Sequence, residues 1–112
     1  MQRLPIRLVS GSQLTTSAAT YYTTPSNTTT TISACTLTNT TGGAVTATVY
    51  LVPSAGTAGV SNIVLSARTL AAGETYNVGS AIGQSLATGG TIQALASAGT
   101  SITLVASGYE ST

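Results

Sequence analysis

Apolar residues alternate with hydroxyl-bearing ones along most of this chain. The clearest run is Val45, Ala47, Val49 and Leu51, interleaved with Thr46, Thr48, Tyr50 and Val52. A period of two marks a β-strand with one buried face and one wet face. The same alternation recurs at Ile63, Leu65 and Ala67, at Ile92, Ala94 and Ala96, and at Ile102, Leu104 and Ala106. These runs predict a core built on Val45, Val49, Leu51, Ile63, Leu65, Ile92, Ile102 and Leu104. Further strands are expected at Thr20–Thr24, ended by Pro25, and at about residues 29–39. Gly42-Gly43 reads as a hairpin turn, because glycine reaches positive φ without steric cost. Pro53 stops the central strand, and residues 53–61 (PSAGTAGVS) form a loop. One helical turn is expected at Ser80–Leu86, with Ser80 as its cap and Ile82 and Leu86 on a shared face.

The chain is therefore expected to be all-β: a single immunoglobulin-like β-sandwich of about seven strands, spanning residues 17–112. An extended N-terminal arm, residues 1–16, precedes it, with a break at Ser10-Gly11-Ser12. In the arm, Leu4, Ile6 and Leu8 alternate with Arg3, Pro5 and Arg7, which suits a strand laid on a sheet edge. That edge belongs either to a neighbouring molecule or to the arm's own domain. Under the first reading, removal of residues 2–12 leaves the sandwich folded. The candidate partner-binding residues are Arg3, Leu4, Ile6, Arg7, Leu8 and Tyr21. Tyr21 and Tyr22 are adjacent in a strand, so one ring is expected in the core and the other at the surface. Tyr76 is expected to act as a corner residue between the sheets.

Composition narrows the function. The 112 residues include 23 Thr, 14 Ser, 16 Ala and 12 Gly, but no His, Asp, Lys, Trp or Phe. General acid–base catalysis draws on His or paired carboxylates, and Glu74 and Glu110 are the only acids. Hydroxyls without a neighbouring base are poor nucleophiles. No enzymatic activity and no cofactor are expected. The lone Cys35 excludes an intrachain disulfide and a cysteine metal site, and it reads as a small buried hydrophobe. Two Asn-x-Thr matches, at Asn27 and Asn39, are those a threonine-rich chain produces by chance.

Net charge is +1, with Arg3, Arg7 and Arg68 the only cations. Three arginines are too few for a nucleic-acid footprint, so no nucleic-acid partner is expected. No apolar run has the length of a membrane span, and the start of the chain lacks a secretory core, so synthesis in the cytoplasm is expected. Charged residues make up only 4% of the chain, which gives little colloidal repulsion and favours association into a homo-oligomer. The 24 Leu, Ile and Val residues supply a thin core that contacts between subunits would reinforce.

From Thr20 onward the chain resembles a family of small bacteriophage structural proteins. The matching stretches are Tyr22-Thr23-Thr24-Pro25, Thr36 to Gly42 (TLTNTTG), Val49 to Gly56 (VYLVPSAG) and Leu70 to Tyr76 (LAAGETY). Ile92 to Ala96 (IQALA) and Ala106 to Glu110 (ASGYE) complete the match, which covers about four-fifths of the chain. The resemblance implies an immunoglobulin-like sandwich carried in a virion. It implies either a capsid decoration (cement) protein, as a dimer or trimer on the major capsid protein, or a tail or fibre component acting as adaptor or receptor-binding module. The segment from Ser80 to Leu86 departs from the family pattern in being neutral.

Overall fold

A computed structural model describes residues 3–111. Met1, Gln2 and Thr112, at the limits of the expected segments, lie outside the described residues. The described residues form nine strands: β1 (Arg3–Gln13), β2 (Ala19–Thr23), β3 (Thr29–Asn39), β4 (Val45–Val52), β5 (Ile63–Leu70), β6 (Thr75–Asn77), β7 (Ser85–Leu86), β8 (Thr91–Ala96) and β9 (Ile102–Ser111). One sheet has the order β1-β9-β3-β6, with β7 also on β3, and the other has the order β2-β8-β4-β5. Every pairing is antiparallel. The chain is thus the expected all-β sandwich, with two more strands than the alternation suggests, because the arm joins the sheet as β1 and the Leu86 segment makes a short ladder on β3.

The pairings nest. β1 pairs with β9, β2 with β8, β3 with β6 and β7, and β4 with β5. This is one long antiparallel hairpin, folded at the β4–β5 turn, whose ribbons fall alternately into the two sheets. β9 and β8 then close the sheets by also pairing with β3 and β4. Rolling a hairpin in this way yields a double-sheet jelly roll. The immunoglobulin order is different, since it keeps its F and G strands side by side in one sheet. Here β8 and β9 lie in opposite sheets.

Three local expectations are corrected by this topology. Gly42-Gly43 does not close a hairpin, because β3 and β4 lie in different sheets. The corner is held by Asn39, which is wholly buried. Its Nδ2 donates to the carbonyls of Gly43 (2.8 Å) and Leu70 (3.0 Å), while Oδ1 accepts from Thr41 N (2.9 Å) and Thr41 Oγ1 (2.7 Å). All four hydrogen-bonding positions of the amide are filled, as burial requires. Residues 80–86 form no helical turn. Successive tight turns (Ala81 N to Val78 O, Ile82 N to Gly79 O) end at Gly83, whose φ is +86°. Gly83 N then donates to Ile32 O, which draws the chain into β7. Ile82 is left 45% exposed while Leu86 is buried.

The third correction concerns residues 1–16. Residues 3–13 pair along β9 as an edge strand of the domain's own sheet, with bulges between Arg7 and Val9 and between Val9 and Ser12. Gly11, in the second irregularity, has φ +128°, a value that favours glycine. Leu14 then crosses between the sheets. Leu14 N donates to Ile102 O of β9, and the next carbonyl, Thr15 O, accepts from Ala96 N of β8. Residues 8–15 are therefore part of the sandwich, and no boundary falls at residue 16.

The core unites both sheets through Leu14, Ile32, Leu37, Val49, Ile92, Ile102 and Leu104, with Ala47, Ala94, Ala96 and Ala106 between them. Val45 is also buried, in line with the sequence pattern. Leu51, Ile63 and Leu65, expected in the core, are only half-buried, and of these Leu51 and Leu65 pack at its margin. β5 is an edge strand, and the short β6 and β7 do not cover it fully. A neutral cleft opens there, lined by Leu51, Ile63, Val64, Gln84 and Leu86.

Candidate docking edge

β1 is an unpaired sheet edge, and its first five residues, Arg3 to Arg7, are all exposed. Successive side chains of a strand alternate between faces. Arg3, Pro5 and Arg7 project outward, away from the second sheet. The Arg3 guanidinium lies 4.5 Å from the centroid of the Tyr109 ring, which belongs to the residue paired with Pro5. Stacking uses the flat face of the guanidinium and leaves its N–H rim open to a carboxylate. Arg7 borders a shallow groove with Pro5, Ser33, Ser107 and Tyr109, whose floor is tied by the Ser33 hydroxyl donating to Ser107 O (3.3 Å).

Leu4 and Ile6 take the inner side, where they remain 47% and 39% exposed. Leu4 pairs with Glu110 and Ile6 with Gly108. Gly108 is required sterically: a Cβ there would run into the carbonyl oxygen of Thr31 on β3. Glu110 points between the sheets, where Oε2 accepts a hydrogen bond from the Tyr22 hydroxyl at 2.6 Å. Tyr22 also shares a 2.7 Å hydrogen bond with the buried Thr30 hydroxyl. Burial, and then the bond to Glu110, push the Tyr22 phenol up to about 12. The bridge links β2 of one sheet to β3 and β9 of the other and closes the core at this end.

The six candidate residues are thus divided by the structure. Arg3, Leu4, Ile6 and Arg7 share the open edge, whereas Leu8 is the bulged residue of β1 and is 7% exposed, in the core. Tyr21 stands on β2 and is half-buried, with its hydroxyl accepting from Thr15 N at 3.3 Å. Tyr22 is half-buried too, so the expected division into one core ring and one surface ring does not hold. A register shift in β2 between Thr20 and Tyr22 breaks the strict alternation there. The involvement of Gly108, Tyr109 and Glu110 was not anticipated. The Tyr109-Glu110 pair in a chain so poor in charge was the available signal.

The remaining polar groups are dispersed. Glu74 accepts from Ala71 N (2.7 Å) in the turn before β6, and its carbonyl accepts from Asn39 N. It therefore sits by the end of β3, far along the strand from Thr30 and its neighbour Glu110, and the two carboxylates form no pair. Arg68 of β5 stacks on Tyr76 of β6 at 4.4 Å, joining the edges of the two sheets. Cys35 is 2% exposed, and burial raises its thiol to about 11, well away from a reactive thiolate. Among the described residues no group of three or more His, Cys, Asp or Glu gathers.

No protein-family model and no curated protein matches the chain. Among solved structures it is similar to a chain from infectious bursal disease virus, Gx strain, over 97% of its length, at 21% identity and a TM-score of 0.48. A chain from the Gt strain of the same virus is similar over 97%, at 15% identity and a TM-score of 0.42. The chain spans about 30% of the length of the first and 32% of the second. Likeness at this level bears on neither the strand order nor the role of the chain.

Proposed function

We propose that this chain is a structural component of a virus particle, a capsid decoration (cement) protein on the outer face of the major capsid protein. The observation that carries the reading is the open edge of β1. A well-closed sandwich exposes one sheet edge bearing two arginines and two exposed aliphatic side chains, on a chain with no catalytic constellation. β1 carries the usual protections of a sheet edge, charged side chains, a proline and bulges, yet keeps Leu4 and Ile6 exposed beside them, which makes it a place for a partner. The jelly roll recurs in viral capsid domains, although a fold alone does not select a role. The resemblance of the strand-and-turn motifs to small phage structural proteins points the same way.

In this role the chain works as a dimer or trimer across joints between capsid subunits, where many small contacts add up to resistance against internal pressure. Quantitative densitometry of purified particles tests it. A copy number comparable to that of the major shell protein is expected. A far smaller number would move the protein to a tail or fibre, as an adaptor or receptor-binding module, and absence from particles would overturn the virion reading.

A further inference from the structure

We infer that the open edge of β1 takes an extended segment of a partner protein with the side-chain order acidic, apolar, any, apolar, acidic. The inference rests on the docking role proposed for β1, but not on where in a particle that docking occurs. A strand added to an edge gains affinity from main-chain hydrogen bonds and specificity from alternate side chains. Arg3 and Arg7 lie on the outer side of β1, four residues apart and hence about 13 Å along the strand. Leu4 and Ile6 lie between them on the inner side, both exposed. An incoming strand places its own alternate residues against these, and opposite charges or apolar pairs directly across are the stabilising combinations.

The segment Arg3-Leu4-Pro5-Ile6-Arg7 has the same residue classes read in either direction. The complementary pattern is therefore the same for a parallel and an antiparallel partner. Pro5 at the centre has no N–H, so it offers a partner no main-chain donor there, and its uncharged ring selects no charge at the partner's middle position. The same symmetry excludes a second copy of this chain. Antiparallel pairing about Pro5 sets Arg3 against Arg7 of the second copy, and parallel pairing sets each arginine against itself. Like charges directly opposite are destabilising, so the edge is not self-complementary. Among the described residues the two glutamates do not neutralise it, because Glu110 is engaged by Tyr22 between the sheets and Glu74 by Ala71 N. Arg3, held on the Tyr109 ring, presents its rim already oriented.

Calorimetric titration of the full chain with three peptides tests the pattern. They carry Glu-Val-Thr-Val-Glu, Lys-Val-Thr-Val-Lys and the phase-shifted Val-Glu-Thr-Glu-Val in a common polar frame. The first is expected to bind, and the other two to bind about tenfold more weakly or not at all. The double variant Arg3→Glu/Arg7→Glu, whose substituted side chains are exposed, is expected to melt as the parent does and to prefer the lysine peptide. Equal affinity for all three peptides would overturn the charge pattern while leaving β1 a docking edge. No binding of any peptide would overturn a linear segment as the occupant. Particles assembled with a chain lacking residues 2–7 separate these failures from failure of the docking role, since full occupancy by that chain would remove the docking edge itself.

Discussion

The two halves of β1 have the same kind of sequence and opposite fates. In the first half, Leu4 and Ile6 alternate with arginines and stay 47% and 39% exposed. In the second, Leu8 and Val9 fall to 7% and 3%, and Leu14, just past the strand, to 0%. Hydrophobicity does not separate the two, but the residues opposite do. Val9 and Ser12 pair with Ala106 and Leu104, which are wholly buried, whereas Leu4 and Ile6 pair with Glu110 and Gly108. The inward face of β9 turns from aliphatic to glycine and carboxylate, and the core ends where it does. The bulge at Leu8 marks the change, bringing both Leu8 and Val9 onto the buried side. One strand thus serves folding with one half and is available for docking with the other.

The comparison can be broken by substitution. Leu14→Ala is expected to cost about 2–5 kcal/mol in chemical denaturation, as for other wholly buried leucines. Leu4→Ala is expected to stay within about 0.5 kcal/mol of the parent, the range for exposed sites. Similar costs for the two would erase the distinction. Gly108→Ala, beside Ile6, is expected to cost about 1–3 kcal/mol, because the methyl meets the Thr31 carbonyl and must push β3 and β9 apart. A parent-like denaturation midpoint would show that the strands are not held so closely.

A smaller effect is expected at the bridge that closes the core. Tyr22→Phe removes the hydroxyl between Thr30 and Glu110 and is expected to cost about 1–2 kcal/mol, since two hydrogen bonds are lost, one of them to a carboxylate. It also changes the response to alkali. Tyr22 and Cys35 both have folded values raised by burial, to about 12 and about 11, from ordinary values of 10.0 and 9.0. A raised value means that folding favours the protonated form, so the contribution is complete below the ordinary value and is lost as pH rises through the folded one. Stability is therefore expected to decline from about pH 9 to pH 12. Tyr22→Phe is expected to flatten the upper part of that decline and Cys35→Ala the lower part. Unfolding midpoints followed against pH check both, and unchanged slopes would place these groups in contact with water.

Much of the architecture was legible because the period-two pattern acts locally. Val45, Val49, Ile92, Ile102 and Leu104 announce buried faces without knowledge of any partner strand, and all are buried. What was not legible depends on which strands meet. Gly42-Gly43 has turn chemistry, but whether it turns within a sheet or between sheets depends on β8 and β9, some fifty residues further on. Leu51, Ile63 and Leu65 alternate as core residues do, yet β5 is an edge beside two short strands. Leu14 followed the Gly11 break and so read as part of an arm, although it is among the largest wholly buried side chains. At the docking edge, Arg3, Leu4, Ile6 and Arg7 were visible as an alternating run, while the Tyr22–Glu110 bridge joins residues 88 positions apart.

Residues 8–14 anchor the core, whereas residues 3–7 pair with β9 but bury little. Equilibrium unfolding of two truncated chains, one lacking residues 2–7 and one lacking residues 2–14, tests this division most directly. The shorter deletion is expected to keep a cooperative transition with a midpoint close to the parent. The longer one removes Leu8, Val9 and Leu14 together and is expected to leave no cooperative transition. A cooperative, parent-like transition after the longer deletion, or its loss after the shorter one, would contradict the account.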